Sequence, residues 1–211
     1  MKRFDLITEA DARVLDHGST VELTAGGHVT PLARDTLAAR RVTVVAAGST
    51  DATLPPDLAP VSDVRRVAIG SDHSGVALKK ALVGHLRGKG LAVTDLGTDS
   101  AEPVDYPDIA AAVARLVTRR EADAGIVIDG AGLGSAIAAN KIDGIRAAMC
   151  TDRTLARYAR EHNGANVLTL GATLVNTEEA SAIVQTFIGT PMREARYARR
   201  LAKIRNLERA Q

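Results

Sequence analysis

After residue 65, short apolar runs alternate with amphipathic stretches along the chain. Val67-Ala68-Ile69 reads as a buried strand. The stretch at about 75–88 then sets Val76, Leu78, Leu82 and Leu86 on one stripe at helical spacing. The order repeats: a strand at Leu91-Ala92-Val93, a loop at 97–107, a helix over 108–119 and a strand at 124–128. A helix opening at 135–140, a strand at 145–149 and a helix from 152 to about 162 follow. The pattern closes with a strand at 167–170, a helix from about 177 to 188 and a basic helix over 191–208. Such alternation predicts an α/β fold, a Rossmann-like parallel sheet flanked by helices. Sheets of this kind bind ligands at the carboxyl ends of their strands. That edge is expected to gather Asp72-His73, Asp129 with the glycines after it, and the Thr151-Asp152 turn.

The first 47 residues are patterned differently. Leu6-Ile7 and Val21-Glu22-Leu23 read as short strands, and Val42-Thr43-Val44-Val45 as a third. Between them Thr30-Pro31 opens a helix, with Thr30 as cap and Pro31 in the first turn. Residues 48–64 hold three of the seven prolines without periodicity, which marks a linker. The expected organisation is a small N-terminal extension (1–47), a linker (48–64) and a main domain (65–211). The extension is short of apolar residues for a core of its own and is expected to rest on a partner.

Composition narrows the function classes. Aromatic residues make up 2% and there is no Trp, so a stacking platform for nucleic acid is not expected. A net charge of +2 is too balanced for a charge-driven nucleic-acid or membrane binder. One Cys excludes an internal disulfide, and no apolar run has the length of a membrane span. The N-terminus carries acidic residues and no apolar leader core, so the expected location is the cytoplasm.

The richest stretch is 124–141, where a β-branched strand ends on Asp129 and enters Gly130-Ala131-Gly132-Leu133-Gly134 before a helix. Strand, glycine turn and helix start together present backbone N–H groups to an anion or oxyanion. Alone, such a loop is as often turn geometry as a ligand site. Asp72-His73 at a strand end reads as a polar site or as a helix cap. His162 near a helix C-terminus complements the dipole if it does nothing else. Arg196 and Arg200, four apart, share a helix face that can clamp a phosphate, or form a solvated basic face with Arg193, Arg199 and Arg205. Cys150 closes a strand and reads as a small buried hydrophobe. No cluster has metal-ligand spacing, and no metal or cofactor is expected.

Six stretches, VAIGSDHSGVALK (67–79), VDYPD (104–108), GAGLGSAIAANK (130–141), GIRAA (144–148), AREHNGANVLTLG (159–171) and RYARRLAKI (196–204), resemble the type B ribose-5-phosphate isomerases. The same family takes in relatives acting on galactose or allose 6-phosphate. The resemblance implies an isomerase that interconverts aldose and ketose phosphates through an enediolate without a metal. It also implies a homodimer, or a higher homo-oligomer, whose active sites draw on both subunits. By the same resemblance Asp72 and His73 lie beside the sugar, and His162 opens the furanose ring with Asn163 next to it. Arg196 and Arg200 bind the phosphate, and Gly130, Gly132 and Gly134 turn N–H groups to the enediolate.

The chain departs from the family pattern at the base itself. The usual Cys is Asp129, the Thr two residues on is Ala131, and an Arg often found after strand five is Thr173. A minority branch uses a Glu a few residues further on, where this chain has Ser135. Asp129 is expected to replace the thiolate, since carboxylates move such protons in unrelated isomerases. A free Asp, at a pKa near ~3.9 against ~8.5 for Cys, is the weaker base. The alternatives are an isomerase of another sugar phosphate and an inactive sugar-phosphate-binding or assembly protein. The N-terminal segment, through its TPLARD helix and following strand, is similar to segments of proteins encoded with bacterial microcompartments. That similarity implies shell or cargo proteins as partners and a microcompartment interior as the location; the alternative is an oligomerisation arm that buries its apolar face on another copy.

Overall fold

A computed structural model describes residues 2–46, 58–192 and 195–208. The chain divides into two compact units, 1–53 and 54–211. The first unit runs β1 (Arg3–Ile7), α1 (Glu9–Val14), β2 (Thr20–Val29), α2 (Pro31–Ala39) and β3 (Thr43–Ala46), with a parallel sheet in the order β1-β2-β3. Helix α2 begins as its sequence predicts, Thr30 accepting from the Ala33 N–H. Helix α1 was not expected. Its six residues are too short for a periodic stripe, and it is held by a reciprocal cap in which Thr8 and Asp11 bond each other's backbone. β2 is longer than expected because it absorbs an irregularity. Its register with β1 jumps from Phe4↔Leu23 to Leu6↔His28, with Gly26 at φ +82° in between.

The expectation that this unit lacks a core is corrected. Ile7, Ala12, Leu15, Val21, Ala33, Leu37 and Val42 are buried in one cluster, with Phe4, Leu23, Val29 and Val44 packed around it. Each helix adds an alanine to it, Ala12 from α1 and Ala33 from α2. Residues 48–57 of the expected linker lie outside the described residues. Its last part is packed, with Leu58 and Val64 buried.

The second unit holds β4 (Arg66–Ser71), α3 (Val76–Gly88), β5 (Ala92–Gly97), α4 (Tyr106–Thr118), β6 (Ala124–Asp129) and α5 (Leu133–Ala139). β7 (Ala147–Met149), α6 (Arg153–Asn163), β8 (Val167–Gly171), α7 (Thr177–Gly189) and α8 (Ala195–Glu208) complete it. All five strands are parallel, in the order β5-β4-β6-β8-β7. One buried layer joins Leu78, Leu82 and Leu86 of α3 to Ala156 of α6 and Ile183 and Phe187 of α7. The other is built from Ala110, Val113 and Ala114 of α4 and Ala139 of α5. With a layer on each face, residues 124–128 of β6 are buried, as their unbroken apolar run requires, and Asp129 at its end is buried too. The connections leave β4 and β6 in opposite directions across the sheet, which makes their carboxyl ends the topological switch point.

One charge sits within the predicted apolar surface of α3. Lys79 is buried, and its ammonium donates to Asp95 (2.7 Å), Asp99 (2.9 Å) and the Leu96 carbonyl (3.0 Å). Burial opposes its charge, but the two carboxylates outweigh burial and raise its pKa. A raised lysine contributes its full stability below the unfolded value, near ~10.4, and loses it only as pH rises through the folded one. Lys79→Met is therefore expected to cost about 1–3 kcal/mol at neutral pH by urea unfolding. No loss of stability would mean that the two carboxylates are solvated equally well without it.

Candidate active site

At the switch point Asp72 follows β4 and Asp129 ends β6, tied by an Asp72 N–H to Ile128 carbonyl bond of 3.1 Å. Asp72 Oδ1 accepts from the Ser74 N–H (2.9 Å), the Ser74 hydroxyl (2.5 Å) and the Gly75 N–H (3.3 Å). It thus caps the single helical turn at His73–Gly75. Its Oδ2 has no hydrogen-bond partner among the described residues and is available to a ligand. His73 is exposed, and its Nδ1 accepts from the Val104 N–H at 3.4 Å. That assigns the ring proton to Nε2.

Asp129 is buried, 5% exposed, and its carboxylate is filled with donors. Oδ1 accepts from the N–H groups of Ala131 (2.8 Å) and Gly132; Oδ2 accepts from the Ser135 N–H (2.9 Å) and the Ser135 hydroxyl. The loop is stapled to β8 as well. Thr173 donates its hydroxyl to the Gly130 carbonyl (2.7 Å), Thr169 to the Gly132 carbonyl (2.7 Å), and the Ala172 N–H meets the Asp129 carbonyl (2.8 Å). Gly132 adopts φ +77°, a left-handed conformation that favours glycine. Gly130 faces the Ser74 hydroxyl, 3.8 Å from where a Cβ would stand. Gly134 has no room for a side chain, because the Tyr106 hydroxyl lies 2.6 Å from that position. Of the three glycines expected to offer N–H groups to a substrate, Gly132 spends its own on Asp129.

A second cluster lies elsewhere. His162 stacks on Tyr158, ring centroids 4.7 Å apart, and against Tyr197 of α8 at 4.8 Å. The Arg200 guanidinium lies 5.6 Å from the Tyr197 ring centroid, and Asn163 donates to the Tyr158 carbonyl at 3.4 Å. Arg196 falls in α8, and its side chain lies outside the described residues.

Topology separates the two clusters. α6 starts beside the carboxyl end of β7, capped by Asp152 through the Thr154 and Leu155 N–H groups, and ends where β8 begins. Its 11 residues span about 16 Å. Asp72, His73 and Asp129 therefore stand at the carboxyl edge of the sheet, and His162 and Asn163 at its amino edge.

Sequence reasoning missed Tyr106, Ser74, Thr169, Thr173 and the bonding role of Ser135. The tyrosines had a usable signal: the chain has only three, and all of them lie in these clusters. Cys150 is buried as expected, and burial, with Asp152 second, pushes its thiol up to about 12. The native protein is expected to resist a thiol reagent near neutral pH and to react once unfolded. Fast labelling of the native state would show that this end of β7 opens.

Residues 67–204 match the family model described as Ribose/Galactose Isomerase. Ribose-5-phosphate isomerase B of Escherichia coli is 41% identical over 145 residues, 69% of this chain and 97% of that protein. A probable ribose-5-phosphate isomerase B of Mycoplasma pneumoniae is 40% identical over 68% of this chain and 95% of its own length. Among solved structures, ribose-5-phosphate isomerase B of Clostridium thermocellum aligns with a TM-score of 0.68 at 46% identity, covering 69% of this chain and 98% of that one.

Proposed function

The chain belongs to the ribose/galactose isomerase family, and on that premise we propose that it interconverts ribose 5-phosphate and ribulose 5-phosphate through an enediolate. Asp129 takes the proton from C2 and returns it to C1. Asp72, through its free Oδ2, and His73 hold the sugar hydroxyls, while His162 opens the ring with Asn163 beside it. Arg196 and Arg200 hold the phosphate, and the N–H groups of Gly130 and Gly134 face the developing oxyanion. The observation that carries this reading is the pairing of Asp72 and Asp129 at the switch point, beside a glycine loop pinned to β8. To act as a base Asp129 must free one lone pair, and the Ser135 hydroxyl is the donor that can rotate away.

The working unit in this proposal is a dimer in which the carboxyl-edge cluster of one protomer meets His162 and Arg200 of its partner. Supporting it are the opposite placements of the two clusters and the exposure of Leu133 and Ile137 on α5 and of Leu155 and Tyr158 on α6. A second reading gives Asp129 the role of loop anchor in a pocket that binds a sugar phosphate without using it as base. Its four donors favour that reading.

Proton NMR with ribose 5-phosphate in D2O tests the activity. Ribulose 5-phosphate, or deuterium entering next to the carbonyl, is the expected result. Binding without exchange would move the proposal to another sugar, and no binding would reject it. For the N-terminal unit the proposal is association with microcompartment shell or cargo proteins. A fusion of the whole chain to a fluorescent protein should then form puncta in cells that build such shells; diffuse fluorescence would reject it.

A further inference from the structure

Ahead of the family-matched region, residues 58–61 are fastened into the second unit by two arginines. Arg146 donates Nη2 to the Leu58 carbonyl (2.9 Å) and Nε to the Gly164 carbonyl (2.8 Å). Arg160, fully buried, donates Nη2 to the Val61 carbonyl (2.6 Å), Nη1 to the Ala165 carbonyl (2.9 Å) and Nε to the Thr190 carbonyl (3.3 Å). Among the described residues it meets these carbonyls rather than a carboxylate. Burial, with Arg146 second, lowers its pKa to about 10. Each arginine thus ties residues 58–61 to the segment that follows α6, and Arg160 also reaches the end of α7.

The side chain of Leu58 completes the arrangement. It is 2% exposed and shares a buried cluster with Met192, which precedes α8, and with Tyr197 and Leu201 of α8. From the other side, Gly164 at the end of α6 meets α8 so closely that a Cβ there would lie 2.7 Å from Leu201. Tyr197 thus belongs to the buried cluster that holds Leu58, and its ring also meets the imidazole of His162, 4.8 Å away. The next turn of α8 carries Arg200.

We infer that Leu58 is a positioning residue: residues 58–61 form a strap that fixes α8, and through Tyr197 sets His162 and Arg200 for the sugar phosphate. This rests on the proposed roles of His162 and Arg200. The strap lies in the expected linker and precedes residue 67, where the family match begins.

The test uses the full chain with Leu58→Ala, the milder Leu58→Val in case the first does not fold, and Leu58→Met as the conservative control. Two readouts are independent of turnover: the His162 ring signals in carbon-edited NMR, and calorimetric affinity for ribose 5-phosphate. In Leu58→Ala the His162 signals should shift as Tyr197 moves off the ring, and affinity should fall about tenfold. Leu58→Val should do less in the same direction, and Leu58→Met should restore both. Unmoved His162 signals in the Ala and Val variants would overturn the inference, as would shifted signals with unchanged affinity. Wild-type binding without turnover would count against the isomerase proposal alone and leave the strap to be judged on these readouts.

Discussion

Asp129→Asn is expected to lower kcat by about 10²–10⁴-fold while ribose 5-phosphate still binds, the usual cost of removing a general base. The amide keeps one oxygen for the Ala131 and Gly132 N–H groups but turns an NH2 toward the Ser135 N–H, which loses its acceptor. That adds a stability cost of about 1–3 kcal/mol, measurable by denaturant unfolding. The two effects separate the readings of this residue. A base loses rate far beyond any loss of folded protein, whereas a loop anchor loses stability and affinity together and leaves the chemistry of the remaining complex intact. Asp129→Cys, which installs the thiol implied by the family resemblance, sharpens the comparison. It removes the acceptor for the loop N–H groups yet supplies a base at the same strand end. Recovery of turnover in the Cys variant alongside loss in the Asn variant would assign proton transfer to this position. Unchanged turnover in Asp129→Asn would remove Asp129 from the mechanism.

Mixing two inactive variants is expected to restore activity. If each site takes Asp129 from one protomer and His162 from the other, Asp129→Asn and His162→Asn homodimers each lack a group at both sites. After exchange of subunits, half of the dimers are mixed, and each mixed dimer has one intact site and one doubly altered site. The recovered rate is then about one quarter of wild type. Sites built within single chains would give no recovery, because every chain in the mixture carries one lesion. The expectation follows from α6, which carries His162 to the amino edge of the sheet while β6 carries Asp129 to the carboxyl edge. The experiment needs no knowledge of the interface beyond subunit exchange, checked by mass spectrometry on one isotopically labelled partner.

The main sheet was legible because its signals are local and repeated. β6 announces itself as an unbroken β-branched run, α3 as a stripe of Leu78, Leu82 and Leu86, and α2 as a Thr-Pro start. What escaped was set by tertiary context. α1 is held by one cap and a single buried alanine, which no periodic pattern reveals. The burial of Lys79 on α3 has no local signal, because it depends on Asp95 and Asp99 being brought over it by β5 and the loop beyond. The candidate site divides in the same way. Asp72, Asp129 and the glycines are visible as a strand end and a turn, but which N–H groups Asp129 consumes depends on how the loop folds back on its own carboxylate. That His162 stands at the far edge from Asp129 follows only when the direction of α6 is set against the parallel strands.

The placing of the three tyrosines has a spectroscopic consequence. Without Trp, the near-ultraviolet absorbance and emission of this chain come almost entirely from Tyr106, Tyr158 and Tyr197. One ring covers Gly134 of the loop, and the other two enclose His162. The tyrosines of this chain thus lie at the two clusters to which the proposal assigns the sugar phosphate. If the proposal holds, tyrosine emission becomes a label-free optical gauge of occupancy at both ends of the sheet, with no dye attached.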